Sequence, residues 1–220
     1  MSRKIKIAPS ILAADFLRLG DEIRKAESAG ADMLHFDVMD AHFVPNLSLG
    51  IAMLEQVRAF TGMYLDVHLM MDNPRPLLKT FADAGADGIT VHLEVYPEPG
   101  AVLDEIGALG KDRGLSINPD MPVERLAGKV AKVDRLLLMS VFPGFGGQKF
   151  IPESLERLRK ARALLDGEGR EAAELQIDGG VSAANAGDIV SAGADTLVAG
   201  TGIFRAADPV SAVRILRSGK

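Results

Sequence analysis

Short apolar runs recur along the chain, and each is followed by a stretch with apolar residues at helical spacing. Read in order, the apolar runs predict strands at Ile5 to Leu12, Met33 to Val38, Tyr64 to Met70, Gly88 to Leu93, Leu115 to Asn118, Arg135 to Val141, Glu174 to Ile177 and Thr196 to Ala199. The intervening stretches predict helices at Asp15 to Ser28, Ile51 to Phe60, Pro74 to Ala84, about Ala101 to Arg113, Val123 to Lys129, Glu153 to Leu165, Ala183 to Ala192 and Pro209 to Leu216. Asp15 is placed to cap the first helix. The prolines of the third sit in its first turn, where a missing N–H does least harm. Val, Ile and Leu dominate the strands, as they do in parallel strands covered on both faces.

A repeat supports the same reading. Ala-Gly-Ala-Asp occurs at residues 29–32, 84–87 and 192–195, each time between a helical pattern and an apolar run. Glycine suits the left-handed position that ends a helix, so the repeated tetrapeptide marks one helix-to-strand joint used three times. Eight alternating pairs without a linker or a composition break predict an α/β protein, a single (β/α)8 (TIM) barrel domain spanning residues 1–220. A doubly wound open sheet is the alternative.

Composition narrows the range of functions. The chain has 220 residues, 47% of them apolar, which is ordinary for a globular domain. No apolar run has the length a bilayer requires, so no membrane partner is expected. The first residues lead straight into a strand, without the apolar stretch and cleavage site of a secretory signal. A net charge of −5 disfavours nucleic acid as a partner. No cysteine is present, so disulfides, thiolate zinc sites and cysteine nucleophiles are excluded, and the expected location is the cytoplasm.

The chemistry-bearing residues fall at predicted strand ends. His35 and Asp37 alternate with Leu34, Phe36 and Val38, so the two share one strand face. Ser10, His68 and Asp178 end three other strands. In a (β/α)8 barrel that rim holds the active site. Two His and two Asp would suit one divalent ion of the Zn, Mn, Fe or Co type better than calcium; a hydrogen-bonded polar network without metal is the other reading. Glycine loops at Gly144 to Gly147, Gly179-Gly180 and Gly200-Thr201-Gly202 follow the last three strands. They serve either tight turns or backbone approach to a phosphate. Met39, Met70 and Met139 are expected at or just past strand ends, as core filling or as a dry lining of the mouth. His92 is expected to be structural, and His42 and Lys149 have no assignment. No lysine ends a strand, which removes the Schiff-base nucleophile, and no dinucleotide fingerprint is present. Two carboxylates with a metal and a phosphate anchor suit proton removal from one face of a sugar phosphate and return on the other, with the metal holding the enediolate between the two steps.

The motifs carry a resemblance over nearly the whole chain. Residues 8–16 (APSILAADF), 35–40 (HFDVMD), 42–46 (HFVPN), 66–70 (DVHLM), 143–148 (PGFGGQ) and 178–180 (DGG) resemble the ribulose-phosphate 3-epimerase family. The resemblance implies a ribulose-phosphate-binding barrel and reversible conversion of D-ribulose 5-phosphate to D-xylulose 5-phosphate. By that resemblance His35, Asp37, His68 and Asp178 bind the divalent metal, and Asp37 and Asp178 are the acid/base pair at C3. Ser10 and His68 contact the sugar. Gly144, Phe145, Gly146, Gly147, Gly179, Gly180, Gly200 and Thr201 hold the phosphate end. A homo-oligomer is implied as well.

Three positions depart from the family pattern: Ala41 for Gly, Thr201 for Ser, and Phe142 for Asn. Phe142 exchanges an amide for an apolar ring at the rim, so a 3-epimerase of another ketose phosphate, such as D-allulose 6-phosphate, is an alternative. A decarboxylase or lyase of the same barrel group and a non-catalytic sugar-phosphate-binding barrel are the other readings.

Overall fold

The computed structural model describes residues 4–219. Eight strands form one parallel sheet: β1 (Lys6–Pro9), β2 (Met33–Met39), β3 (Tyr64–Met70), β4 (Gly88–His92), β5 (Asp112–Ile117), β6 (Arg135–Met139), β7 (Glu174–Asp178) and β8 (Thr196–Ala199). From β2 to β8 each strand pairs with its neighbour in sequence, and β8 pairs with β1. The seam between β1 and β2 is drawn together by a bridge from Ser10 to His35 and by the Asp32 N–H, which donates to the Ile7 carbonyl at 3.0 Å. The result is the (β/α)8 barrel expected from the strand pattern.

The helices are α1 (Leu19–Ser28), α2 (Ile51–Phe60), α3 (Leu78–Asp83), α4 (Gly100–Ala108), α5 (Ser154–Gly167), α6 (Ala186–Ser191), α7 (Thr201–Phe204) and α8 (Pro209–Ser218). Several differ from the predicted spans for local reasons. The first helix opens with a 3-10 turn at Phe16–Arg18, whose Leu17 N–H donates to the Asp15 carboxylate at 3.0 Å. The third opens likewise at Arg75–Leu77. The predicted helix to Arg113 stops at Ala108, because Gly110 takes φ 71°, and β5 starts at Asp112 instead of Leu115. The segment at Val123–Leu126 is one 3-10 turn and not a longer helix.

Two layers of side chains follow from strand alternation. Leu34, Phe36 and Val38 of β2 share one apolar cluster with Ile23 and Ala26 of α1 and Leu54 and Val57 of α2. The main core is therefore the annulus between barrel and helices. The opposite strand face lines the barrel interior and is largely polar, including His35, Asp66, His68, Thr90, His92, Ser116 and Gln176, all with no exposed surface.

The repeated tetrapeptide does more than end helices. Its aspartates reach sideways to the neighbouring strand. Asp32 accepts from the Ile7 N–H at 2.9 Å, Asp87 from Leu65 N–H at 2.8 Å and Asp195 from Leu175 N–H at 2.9 Å. Asp134 does the same for Arg113 N–H at 3.0 Å without the rest of the motif. Each carboxylate also meets a cation: Arg217, Arg58, Arg162 and Arg113 respectively. These braces pin the N-terminal ends of the strands and leave the C-terminal ends free to carry loops.

Candidate active site

The C-terminal rim surrounds a cavity of about 450 Å³. Ser10, Asp37 and Asp178 line it, together with Met39, Met70 and Met139. His35 and His68 lie directly beneath, fully buried. One ligand atom from each of His35, Asp37, His68 and Asp178 lies within 4.8 Å of every other, and this is a group that could hold a metal ion.

Hydrogen bonds fix how each group presents itself. His35 Nδ1 lies 2.7 Å from Asp66 Oδ2, which leaves Nε2 aimed at the cluster and without a hydrogen-bond partner. His35 Nε2 and His68 Nδ1 each lie 3.2 Å from Asp37 Oδ1. Asp37 Oδ2 accepts from the Ser10 hydroxyl at 2.6 Å. Two imidazole nitrogens facing one carboxylate oxygen require positive charge between them, as a proton or as a metal. Ligands about 2.0–2.1 Å from a tetrahedral ion stand about 3.3–3.4 Å apart, close to the 3.2 Å of these two pairs, and all four donors lie within 4.8 Å of one another. The donor set therefore fits a first-row divalent ion.

The two carboxylates sit in different electrostatic states. Burial disfavours charge on Asp37, but His35 and His68 outweigh it and hold the group well below the usual carboxylate range. Removal from water, reinforced by the negative charge of Asp37, pushes Asp178 up to about 7. Burial opposes a charged His35, yet Asp37 and Asp66 together keep its pKa well above the ordinary imidazole value. Burial carries His68 down to about 4 against the pull of Asp37.

The glycine loops expected at the rim are brought to the same cavity. Gly144, Phe145, Gly146, Gly147, Gly179, Gly180, Gly200 and Thr201 all line it. At Gly179 and Gly180, φ is 118° and 62°, and a Cβ would stand 2.5 Å from Val141 and 2.3 Å from the Phe150 backbone nitrogen. Only glycine fits there. Ser140 Oγ donates to the Gly179 carbonyl at 2.7 Å and Asn185 Nδ2 to the Gly180 carbonyl at 3.0 Å, which shapes the loop. Asn46 Nδ2 donates to the Gly144 carbonyl at 2.6 Å and ties the loop after β2 to the loop after β6.

Phe142 behaves differently from the sequence expectation. The residue is 54% exposed and does not line the cavity. Asp66 was not singled out by the sequence reading, although it shares a strand face with His68 two residues on and that alternation could have found it. Lys149, left without assignment, is the cation among the cavity-lining residues.

Fold and site together define a (β/α)8-barrel protein with a His2Asp2 group able to hold a divalent ion under a glycine-rich rim. Comparison with known proteins takes this further. Residues 6–204 match the ribulose-phosphate 3 epimerase family, and the chain belongs to it. It is 42% identical over 216 residues to the ribulose-phosphate 3-epimerase of Bacillus subtilis (strain 168), covering 98% of this chain and 100% of that protein. It is 46% identical over 209 residues to ribulose-phosphate 3-epimerase 1 of Cupriavidus necator, covering 94% and 87%. Among solved structures, 3-hexulose-6-phosphate synthase from Salmonella typhimurium superposes with a TM-score of 0.72 at 17% identity, covering 98% of both chains. That likeness speaks to the fold alone.

Proposed function

We propose that the protein interconverts D-ribulose 5-phosphate and D-xylulose 5-phosphate by moving the proton at C3 between two carboxylates. The observation that carries the reading is the pair Asp37 and Asp178: two carboxyls that line one cavity, each with an oxygen in the same ligand group. Two carboxyls at one site suit removal of a proton by one and delivery by the other. Asp37 takes the C3 proton from one face, and Asp178 returns one to the opposite face. In the reverse direction the roles exchange.

A bound Zn, Fe, Mn or Co ion would supply positive charge to the substrate oxygens that become anionic when the proton leaves. His35, Asp37, His68 and Asp178 would hold it. The Ser10 hydroxyl, now bonded to Asp37, is within reach of the sugar. Met39, Met70 and Met139 keep water from the reacting carbon. The loops at Gly144 to Gly147, Gly179-Gly180 and Gly200-Thr201 hold the phosphate through backbone N–H groups, with Lys149 adding positive charge at the rim. The position of Phe142 off the lining favours the pentulose phosphate over a substrate selected by that ring.

The test is incubation with D-ribulose 5-phosphate in heavy water, with and without a chelator. D-xylulose 5-phosphate with deuterium at C3 is expected, and its formation should stop on chelation. Asp37→Asn and Asp178→Asn should each lower kcat by about 10²–10⁴-fold. Near-normal turnover in either variant, or epimerisation of D-allulose 6-phosphate alone, would refute the reading.

A further inference from the structure

We infer that His92 and Glu94 are positioning residues that fix the ring tautomer of His68, so that His68 offers Nδ1 to the metal while His35 offers Nε2. This rests on the metal-dependent reading above.

The two histidines are backed from different directions. His35 is backed from below, by Asp66 at its Nδ1. His68 is backed from the side, where its Nε2 lies 2.8 Å from His92 Nε2. The rings of His68 and His92 stack at 5.0 Å with 24° between planes, and neither residue has exposed surface. His92 Nδ1 in turn lies 3.2 Å from Glu94 Oε2, while Glu94 Oε1 accepts from the Asn118 N–H at 2.7 Å. Phe43 closes over the other side of His92, with ring centroids 4.6 Å apart.

With a metal taking the place of a proton between His68 Nδ1 and Asp37, proton placement along this chain has one solution with neutral rings. The Glu94 carboxylate can only accept, so His92 must carry its proton on Nδ1. His92 Nε2 is then an acceptor, and His68 must donate from Nε2. That leaves the lone pair of His68 on Nδ1, facing Asp37 Oδ1 in the ligand cluster. The reverse order would set a His92 lone pair against the Glu94 carboxylate and a His68 N–H where the metal belongs. An anchored carboxylate two residues past His92 thus decides which nitrogen of His68 is a ligand. Outer partners of this kind govern ring orientation and ligand basicity.

The experiment uses the full chain loaded with zinc. Nitrogen-15 spectra of its histidine rings should show one zinc ligand bound through Nδ1 with Nε2–H, and another bound through Nε2 with Nδ1–H. Two ligands bound through the same nitrogen would overturn the inference, and this measurement needs no variant to fold. Zinc affinity, read by competition with a chromophoric chelator, should fall about 10- to 100-fold in His92→Phe, which keeps the volume and loses the acceptor. His92→Gln should recover most of it, because its amide oxygen can accept from His68 Nε2–H. Equal losses in the two variants, or a His92→Phe affinity within about threefold of the parent, would defeat the inference and leave the epimerase reading standing. No zinc uptake by the parent would defeat both.

Discussion

The metal-free site carries protons that a metal must displace, and their number can be counted. Asp37, held well below the carboxylate range, and His68, at about 4, are already deprotonated above pH 5. Asp178, raised to about 7, and His35, raised well above the ordinary value, are not. Metal binds the deprotonated forms, so affinity must rise with pH. Below the raised pKa of His35, that group alone changes affinity about tenfold per pH unit. Asp178 adds about a further tenfold between pH 8 and pH 6, since a group with pKa 7 passes from mostly free to mostly protonated over that interval. The apparent Kd for zinc should therefore weaken from pH 8 to pH 6 by about tenfold through Asp178 and further through His35. Titration calorimetry in buffers of different ionisation enthalpy should find more protons released per ion at pH 6 than at pH 8, with Asp178 accounting for about one proton of the difference. Asp178→Asn should release about one proton fewer at pH 6. A Kd that changes less than about tenfold over the interval, or release that does not respond to removal of Asp178, would refute the assignment of charge in the site.

Asp66→Asn leaves Arg135 buried with a weakened partner and should cost about 3–5 kcal/mol in the metal-free protein, a fall in Tm of about 6–20 °C by calorimetry; a loss under about 1 kcal/mol would show that Asp66 is not the anchor it resembles. Gly180→Ala forces a Cβ to 2.3 Å from the Phe150 backbone nitrogen at φ 62°, so the rim loop must shift. Steady-state kinetics should show KM for the sugar phosphate raised by about tenfold or more, with a smaller change in kcat, and an unchanged KM would place the phosphate elsewhere.

What the sequence made legible depended on how local the cause is. The strands were readable because their helix-facing side is apolar, as in Leu34, Phe36 and Val38, set by contact with the annular core. The shared face of His35 and Asp37 was readable because strand alternation is a covalent regularity. Helix starts were less so, since the 3-10 turns at Phe16–Arg18 and Arg75–Leu77 use nearly the same apolar spacing as the α-helices they precede. The aspartates of the repeated tetrapeptide announced a joint but not the reach across to the next strand, which exists only once the barrel has closed. His92 was expected to be structural, and its neighbour His68 lies 24 residues away in sequence, a contact that no local pattern encodes. Phe142 drew notice because of its position in a motif, yet the turn of the loop after β6 points attention to its backbone: the Phe142 carbonyl accepts from Gln148 Nε2 at 2.7 Å.

The barrel interior explains why these ligands need such support. Interiors of this fold are commonly filled with branched apolar side chains, whereas here the lower layer holds Asp66, Arg135, Gln176 and Glu174. Asp66 Oδ1 accepts from Arg135 Nη1 at 2.7 Å, and Oδ2 from Gln176 Nε2 and the His35 ring, each at 2.7 Å. Burying such a network contributes little net stability compared with apolar packing of the same volume. What it does supply is direction. A carboxylate gripped by β6 and β7 holds the ring that projects from β2, so the position of His35 is set by three strands and not by its own rotamer preference. His68 receives the equivalent constraint from β4 through His92. The ligand group is thus fixed by side chains that are not themselves ligands, two of them on strands, β4 and β6, that contribute none, which is how a site assembled from separate parts of the chain can be in place before any ion arrives.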